Sequence, residues 1–244
     1  MYAARCLEKA LRPHEASISL VNRENYFVFQ PLLPEVVSAS IGILDTVSPI
    51  RRLCRRTALY VRDVERLDFV HLCSLVRCGA CIERNFFNKT ISDRIAARIL
   101  DFRCPDGGFH GTPHRERGSA YGALLAWGAF SDLNLEMPER DRLLESVNSL
   151  ELRDGSFANE PGMPQGTTTA TAAAVTLCRH LGYPLSPATS AWLLERQHAS
   201  GGFLAAPQAP LPDLLSTAVA LHALAGLEVP LGSRKELCLD FVDS

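Results

Sequence analysis

Asp106-Gly107-Gly108-Phe109, Asp154-Gly155-Ser156-Phe157 and Ser200-Gly201-Gly202-Phe203 recur along the chain at spacings of 48 and 46 residues. A period in the 40s marks stacked supersecondary units, each too small to bury its own apolar face and therefore dependent on its neighbours. The turn has a physical job in such an array. A glycine can take the positive φ that reverses the chain after a helix, and the phenylalanine can pack back between adjacent units.

Working backwards from each turn, an amphipathic helical pattern appears. The first places Ile91, Ile95, Ile99 and Phe102 on one stripe, the second Leu143, Leu144, Val147 and Leu150, and the third Trp192, Leu193 and Leu194. Their starts carry signals: Thr90 with Asp93 reads as a capping box, Ser186-Pro187 as an N-cap followed by proline at the first helical position, and Ser233 with Glu236 as a second box. Working forwards, each turn is followed by a segment of small and apolar residues: Gly118 to Phe130, Gly166 to Leu181, and Asp213 to Leu227. A helix with almost no charged face must be enclosed, so these segments are expected to form an inner layer and the amphipathic ones an outer ring.

This helix-pair pattern over residues 90–244 resembles the repeat of protein prenyltransferase β subunits and squalene-cyclase-like terpene cyclases. The fold class this implies is mainly α: a partial α/α toroid of three and a fraction helix pairs. The stretch from Trp192 through Ser200-Gly201-Gly202-Phe203 to Leu215 is similar to the zinc-bearing unit of the Rab geranylgeranyl transferase β subunit. The resemblance implies an Asp-x-Cys at the start of an inner helix and a histidine one or two units later. Together they hold a zinc ion that keeps the acceptor cysteine as a thiolate at neutral pH. Asp213 falls on the aspartate ligand, but the cysteine position is Leu215, and a hydrocarbon donates no electron pair. The implied histidine lies beyond Ser244, and Cys238, 25 residues after Asp213, is expected on the next outer helix. Asp213 is therefore the only matching metal-ligand position, and its other reading is an N-cap. The acidic Asp-x-Asp-Asp run that the cyclase resemblance implies is absent from the sequence. Catalytic residues are not identified by this reading.

Other residue types that could carry chemistry are few. His110 and His114 flank the first turn as ligands, general bases or exposed loop histidines, and His222 reads as a core histidine satisfied by one hydrogen bond. Cys78-Gly79-Ala80-Cys81, with His71 and Cys73 just before it, could hold zinc or cycle as a dithiol. A structural zinc site would normally bring a second ligand pair, and a thioredoxin-type motif would open a helix, so buried thiols are the expectation.

Residues 1–67 have a different character: a helical pattern through Leu11, a β-rich run Ile18-Ser19-Leu20-Val21, then a loop rich in aromatics and prolines. The run Val21-Asn22-Arg23-Glu24-Asn25-Tyr26-Phe27-Val28-Phe29-Gln30-Pro31-Leu32-Leu33-Pro34, with Pro49-Ile50-Arg51, resembles the second strand and following loop of type II NADH dehydrogenases and related flavoproteins. That resemblance implies an α/β, Rossmann-like FAD/NAD-binding fragment. Its phosphate-binding glycine turn falls before Met1, and Asn22 stands where an acid would grip the ribose, with Glu24 out of register. Bound FAD is not expected. Residues 68–89 match neither neighbour and are expected to be a junction.

The whole chain has 244 residues, 47% apolar and 21% charged, enough for a globular core. Lys plus Arg is 25 against 27 for Asp plus Glu, a net charge of −2, which supplies no field for nucleic acid or an anionic membrane. The basic stretch Arg51-Arg52-Leu53-Cys54-Arg55-Arg56 reads as a solvated helix face. No apolar run approaches the length of a membrane span, and the start lacks the apolar centre of a signal peptide, so the cytoplasm is the expected compartment. The eight cysteines, at positions 6, 54, 73, 78, 81, 104, 178 and 238, show no disulfide framework.

These observations lead to the expectation of a prenyltransferase-like toroid segment, non-catalytic or incomplete. It would bind an apolar or isoprenoid ligand on its concave face, or a second subunit or copy through uncapped repeat edges. No cofactor is expected, save zinc if a prenyltransferase reading holds. The alternatives are an active protein prenyltransferase β-like subunit completed by a partner, and an NADH dehydrogenase-like flavin oxidoreductase fragment.

Overall fold

The computed structural model describes residues 19–22, 26–28, 47–49, 58–61, 67–82 and 86–243. The chain divides into two compact units, residues 1–67 and 68–244. In the first, strand β1 (Ser19–Asn22) pairs in parallel with β4 (Ala58–Val61), and β2 (Tyr26–Val28) pairs antiparallel with β3 (Val47–Pro49). The helical pattern expected through Leu11 and the basic stretch at Arg51 lie outside the described residues.

The second unit is helical: α1 (Phe69–Ile82), α2 (Lys89–Leu100), α3 (Ala120–Asp132), α4 (Arg140–Asn148), α5 (Thr168–His180), α6 (Pro187–Leu194), α7 (Leu214–Gly226) and α8 (Arg234–Asp243). Two short strands, β5 (Phe203–Leu204) and β6 (Pro212–Asp213), form a hairpin between α6 and α7. Helices α1, α3, α5 and α7 pack side by side as the inner layer, while α4 bridges α3 and α5 and α6 bridges α5 and α7. That is a partial α/α toroid, and it follows from composition. Inner helix α5 buries Ala170, Thr171, Ala172, Ala173, Ala174, Val175, Leu177 and Cys178, because small side chains let helices on both flanks approach closely.

The turns behave as their repetition implies. Gly107, Gly155 and Gly201 have φ of +90°, +82° and +96°, and the phenylalanine two residues on in each turn is fully buried. Burial of each ring stabilises the array by about 1.5–3 kcal/mol. The second turn position has a different constraint. A Cβ on Gly108 would run into Ser146 and Gly118, and one on Gly202 into the Phe241 ring, so this glycine marks close approach between units. Ser156 fits in the second turn because Gly166 leaves room for its hydroxyl, which donates to Asp154 at 2.6 Å.

Two expectations are corrected and one is met. The junction at residues 68–89 contains α1, whose Phe69 packs against Phe102 and Phe109 at centroid distances of 5.2 and 6.3 Å. Its apolar run belongs to the inner layer, and it was illegible because no Gly-Gly-Phe turn precedes it. Helix α2 is capped by Asn88, which accepts the Ile91 N–H at 3.0 Å, two residues before the box expected at Thr90. Starting the helix earlier turns Ile91 toward solvent, leaving Ile95, Ile99 and Phe102 in the core. The cap at Ser186 with Pro187 in the first turn is present, its hydroxyl accepting the Ala188 N–H at 3.2 Å.

Candidate functional site

The candidate site is built on the accessible face of the inner helices, and its first element is the row of residues that begin them. Asp68, Ser119, Thr167 and Asp213 occupy equivalent places, each accepting a backbone N–H three residues on: His71, Gly122, Ala170 and Ser216, at 2.9, 3.0, 3.2 and 2.7 Å. Each satisfies one of the four N–H groups a helix start leaves unpaired. Asp213, singled out by sequence as a metal-ligand position, also accepts the Ser216 hydroxyl on its second oxygen at 2.7 Å.

Four residues after the cap, a pattern appears that the sequence reading passed over. The Thr171 hydroxyl accepts the Phe157 N–H at 3.0 Å, and the Thr217 hydroxyl accepts the Phe203 N–H at 2.8 Å, both threonines being buried. Each ties the phenylalanine turn of its unit to the inner helix of the same unit. The legible signal was a threonine repeated at one register, with Ala123 in the first unit.

The turn aspartates are fasteners between units. Asp106 accepts the Gly108 and Gly118 N–H groups and the Ser146 hydroxyl from α4, the last at 2.9 Å. Asp154 accepts from Ser156 and from the Trp192 indole on α6 at 3.1 Å. Partial burial pushes the Asp154 carboxyl up, but the hydrogen bonds from Ser156 and Trp192 outweigh it and hold it below the ordinary range. In the third turn Ser200 replaces the aspartate. There Gln197 reaches across to the Arg234 carbonyl and Cys238 of α8.

Two residues after each cap, the side chains point to solvent: Val70 is 39% exposed, Tyr121 49% and Leu215 55%, with Thr169 between them. This is a mostly apolar row across the open ends of four inner helices. Leu215 is exposed here, two residues after the Asp213 carboxylate.

Nine and thirteen residues after the caps, the same face turns polar. Arg77 on α1 lies against Gly128 of α3 and its Nε contacts Asp132 at 2.9 Å. Arg179 on α5 lies against Gly226 of α7, and His180 and His222 are exposed beside it. Burial, then the Arg179, His222 and Arg77 charges, push the His180 imidazole below its ordinary value. Burial raises the Asp132 carboxyl, opposed by Arg77.

Of the remaining candidates, His110 and His114 lie in the loop after the first turn, away from this face's charged end. His222 is exposed, contrary to the core position expected, because no further inner helix covers that flank of α7 among the described residues. His110 is mostly buried, with Nδ1 accepting the Thr112 N–H at 2.9 Å and Nε2 3.4 Å from Glu160, which also pairs with Arg115. Of the readings open for the two loop histidines, exposure fails for His110, which clasps the first unit to the second, while His114 stays exposed at φ +60°. Cys78 and Cys81 sit in the last turn of α1, Cys81 exposed. Burial and the neighbouring Cys81 raise the Cys78 thiol, the opposite of an activated redox cysteine. Cys73 is pushed up to about 12 by burial.

A zinc ion of the kind the sequence resemblance implies does not fit these residues. Both Asp213 oxygens are engaged by Ser216, Leu215 offers no donor, and no group of three His, Cys, Asp or Glu side chains among the described residues is arranged for a metal. No helix among the described residues is long and apolar enough to cross a membrane.

Comparison with known proteins agrees with the architecture. The family model described as "Prenyltransferase alpha-alpha toroid domain" matches residues 72–184 and 185–243, well over half of the chain and including most of α1. Among solved structures, Candida albicans protein geranylgeranyltransferase-I complexed with GGPP is similar at a TM-score of 0.60 and 16% identity. The match covers 71% of this chain and 57% of that one, so this chain spans little more than half of its structural relative. No curated protein matches the sequence. The family match begins after residue 71 and leaves the flavoprotein resemblance of residues 1–67 without support.

Proposed function

Because the chain belongs to the prenyltransferase alpha-alpha toroid family, we propose that it is a non-catalytic or incomplete member whose concave inner-helix face binds an apolar, isoprenoid-like ligand. The observation that carries this is Leu215, exposed on the apolar row with Val70 and Tyr121 at the position where the resemblance calls for a zinc-bound cysteine. Desolvating such a row favours an apolar occupant by about 25 cal/mol per Å² of apolar surface covered. The caps give independent support. Serine and threonine serve at two equivalent positions, so Asp213 is explained by capping alone.

The test is titration of the purified protein with geranylgeraniol, read by displacement of a fluorescent isoprenoid, alongside metal analysis. Saturable binding that is lost in Leu215→Lys, with less than stoichiometric zinc, is the expected result. One zinc per chain, lost in Asp213→Ser where the cap is retained, would refute the reading.

The second reading is an active prenyltransferase β-like subunit completed by a partner. It is favoured by the likeness to a protein geranylgeranyltransferase and by the 57% coverage of that chain. Transfer of a prenyl group to a cysteine-ended protein on addition of a second subunit would establish it. A flavin oxidoreductase fragment is tested by absorbance, and a preparation free of flavin disposes of it.

A further inference from the structure

The polar end of the inner-helix face is a distinct feature, set apart from the caps. His222 lies nine residues after Asp213, so at 1.5 Å per helical residue the two are about 13 Å apart along α7. Positions 77, 128, 176 and 222 each fall nine residues after the caps at 68, 119, 167 and 213, and positions 81, 132, 180 and 226 each fall thirteen after them. The first row reads Arg77, Gly128, Thr176, His222 and the second Cys81, Asp132, His180, Gly226.

The glycines in these rows are filled by arginines from neighbouring helices. A Cβ on Gly128 would stand 3.0 Å from an Arg77 guanidinium nitrogen, and a Cβ on Gly226 would collide with the Arg179 guanidinium. Simple complementation of helix dipoles would leave each cation on the carbonyls of its own last turn. Here Arg77 leaves α1 to lie on α3, and Arg179 leaves α5 to lie on α7. Among the described residues, Asp132 is the acid that pairs with a member of this group, Arg77. Among the described residues no carboxylate pairs with Arg179, His180 or His222. The depressed His180 imidazole reports the same excess of positive charge once burial is counted.

We propose that Arg77, Arg179, His180 and His222 form a binding site for a phosphate-class oxyanion at the carboxyl-terminal ends of the inner helices. Two guanidinium groups offer planar donor forks, and two imidazoles add donors that strengthen on protonation. The charged groups acting on the His180 imidazole are Arg179 on α5, His222 from α7 and Arg77 from α1, and on α3 the acid at the equivalent register, Asp132, is engaged by Arg77. A bound anion favours imidazolium, so by linkage the His180 pKa rises on binding and affinity increases as the pH falls. This site stands whether or not the apolar row takes a ligand.

The experiment is an NMR titration of the full chain with inorganic phosphate, following the imidazole resonances of His180, His222, His110 and His198 against chloride at equal ionic strength. Saturable shifts confined to His180 and His222, with a higher His180 pKa in phosphate, are expected. Arg179→Gln and His222→Gln should each weaken the apparent affinity about tenfold. Arg115→Gln, paired with Glu160 on the first loops, should leave it unchanged. Equal shifts in chloride, an unmoved His180 titration in phosphate, or full affinity in folded Arg179→Gln protein would overturn the site. Failure of geranylgeraniol to bind while phosphate still shifts these histidines would reject the apolar-ligand reading alone.

Discussion

Replacing Thr171 with valine tests whether the repeat is held by the hydrogen bond from each turn to its inner helix. The hydroxyl accepts the Phe157 N–H at 3.0 Å and is fully buried, as is the phenylalanine ring beside it. Valine keeps the branched shape, so little packing is lost, but the amide is left without a partner where water cannot reach. The desolvation cost of such an orphaned donor is about 1–3 kcal/mol. In a helical unit of this size, each kcal/mol moves the melting temperature by about 2–4 °C, so a loss near 2 kcal/mol lowers it by about 4–8 °C. Thr217→Val, with its bond to Phe203 at 2.8 Å, should do the same. Thr176→Val is the control, because its hydroxyl only donates to the Ala172 carbonyl within its own helix. Urea unfolding followed by circular dichroism measures all three. Thr171→Val within about 0.3 kcal/mol of wild type, or no worse than Thr176→Val, would refute the role assigned to the hydroxyl, since an unmet buried amide cannot be that cheap.

Asp154 has a carboxyl held below its unfolded value, so its contribution is fully present above about pH 3.9 and fades as the pH falls through the lower folded value. Acid titration of stability should therefore be steeper in wild type than in Asp154→Asn below about pH 4, and parallel curves would remove the fastener. Gly201→Ala at φ +96° meets the Leu237 backbone and should cost more than the about 1–3 kcal/mol of backbone strain alone. Gly182→Ala at φ +71° projects into open space and should cost only that strain; equal melting temperatures for the two would contradict the packing of α8 on the third turn. Asn88→Ala removes the cap of α2 and should destabilise by about 1 kcal/mol, whereas Thr90→Ala should be nearly neutral. Reversal of that order by denaturant titration would restore the cap at Thr90.

The architecture was legible where it repeats. Three turns with aligned phenylalanines identify the units, and the near absence of charge on Gly118 to Phe130 and Gly166 to Leu181, where Arg179 comes only at the end, separates inner from outer helices in the sequence itself. What was illegible lacks repetition. Helix α1 is preceded by no glycine turn, so its cap at Asp68 and its packing through Phe69 emerge only from three-dimensional equivalence with Ser119, Thr167 and Asp213. The Arg77, Arg179, His180 and His222 cluster was hidden for a related reason. Its members are spread over 146 residues of sequence and become neighbours only because helices α1, α3, α5 and α7 lie side by side. The role of His110 was illegible because its carboxylate partner, Glu160, comes from the loop of the next unit.

Asp213 shows why a single acidic residue is weak evidence for a metal centre in a helix-pair array. The start of an inner helix already favours an oxygen acceptor, since the exposed N–H groups and the positive end of the helix dipole stabilise one there. Two of the four caps, Asp68 and Asp213, are aspartates and two are hydroxyl residues, and all four accept the same amide. An array of this kind therefore presents carboxylates along one rim for structural reasons alone. What turns such a rim into a metal site is the residue two positions on, which faces the open side. In this chain that row is Val70, Tyr121, Thr169 and Leu215. None of these carries a thiol or an imidazole. Leu215→Cys should consequently leave the protein with at most two donors and no stoichiometric zinc by metal analysis, since a stable tetrahedral site normally takes at least three protein ligands. Tight zinc binding by that single variant would mean that a further donor reaches the rim, and the apolar reading of the row would fall with it.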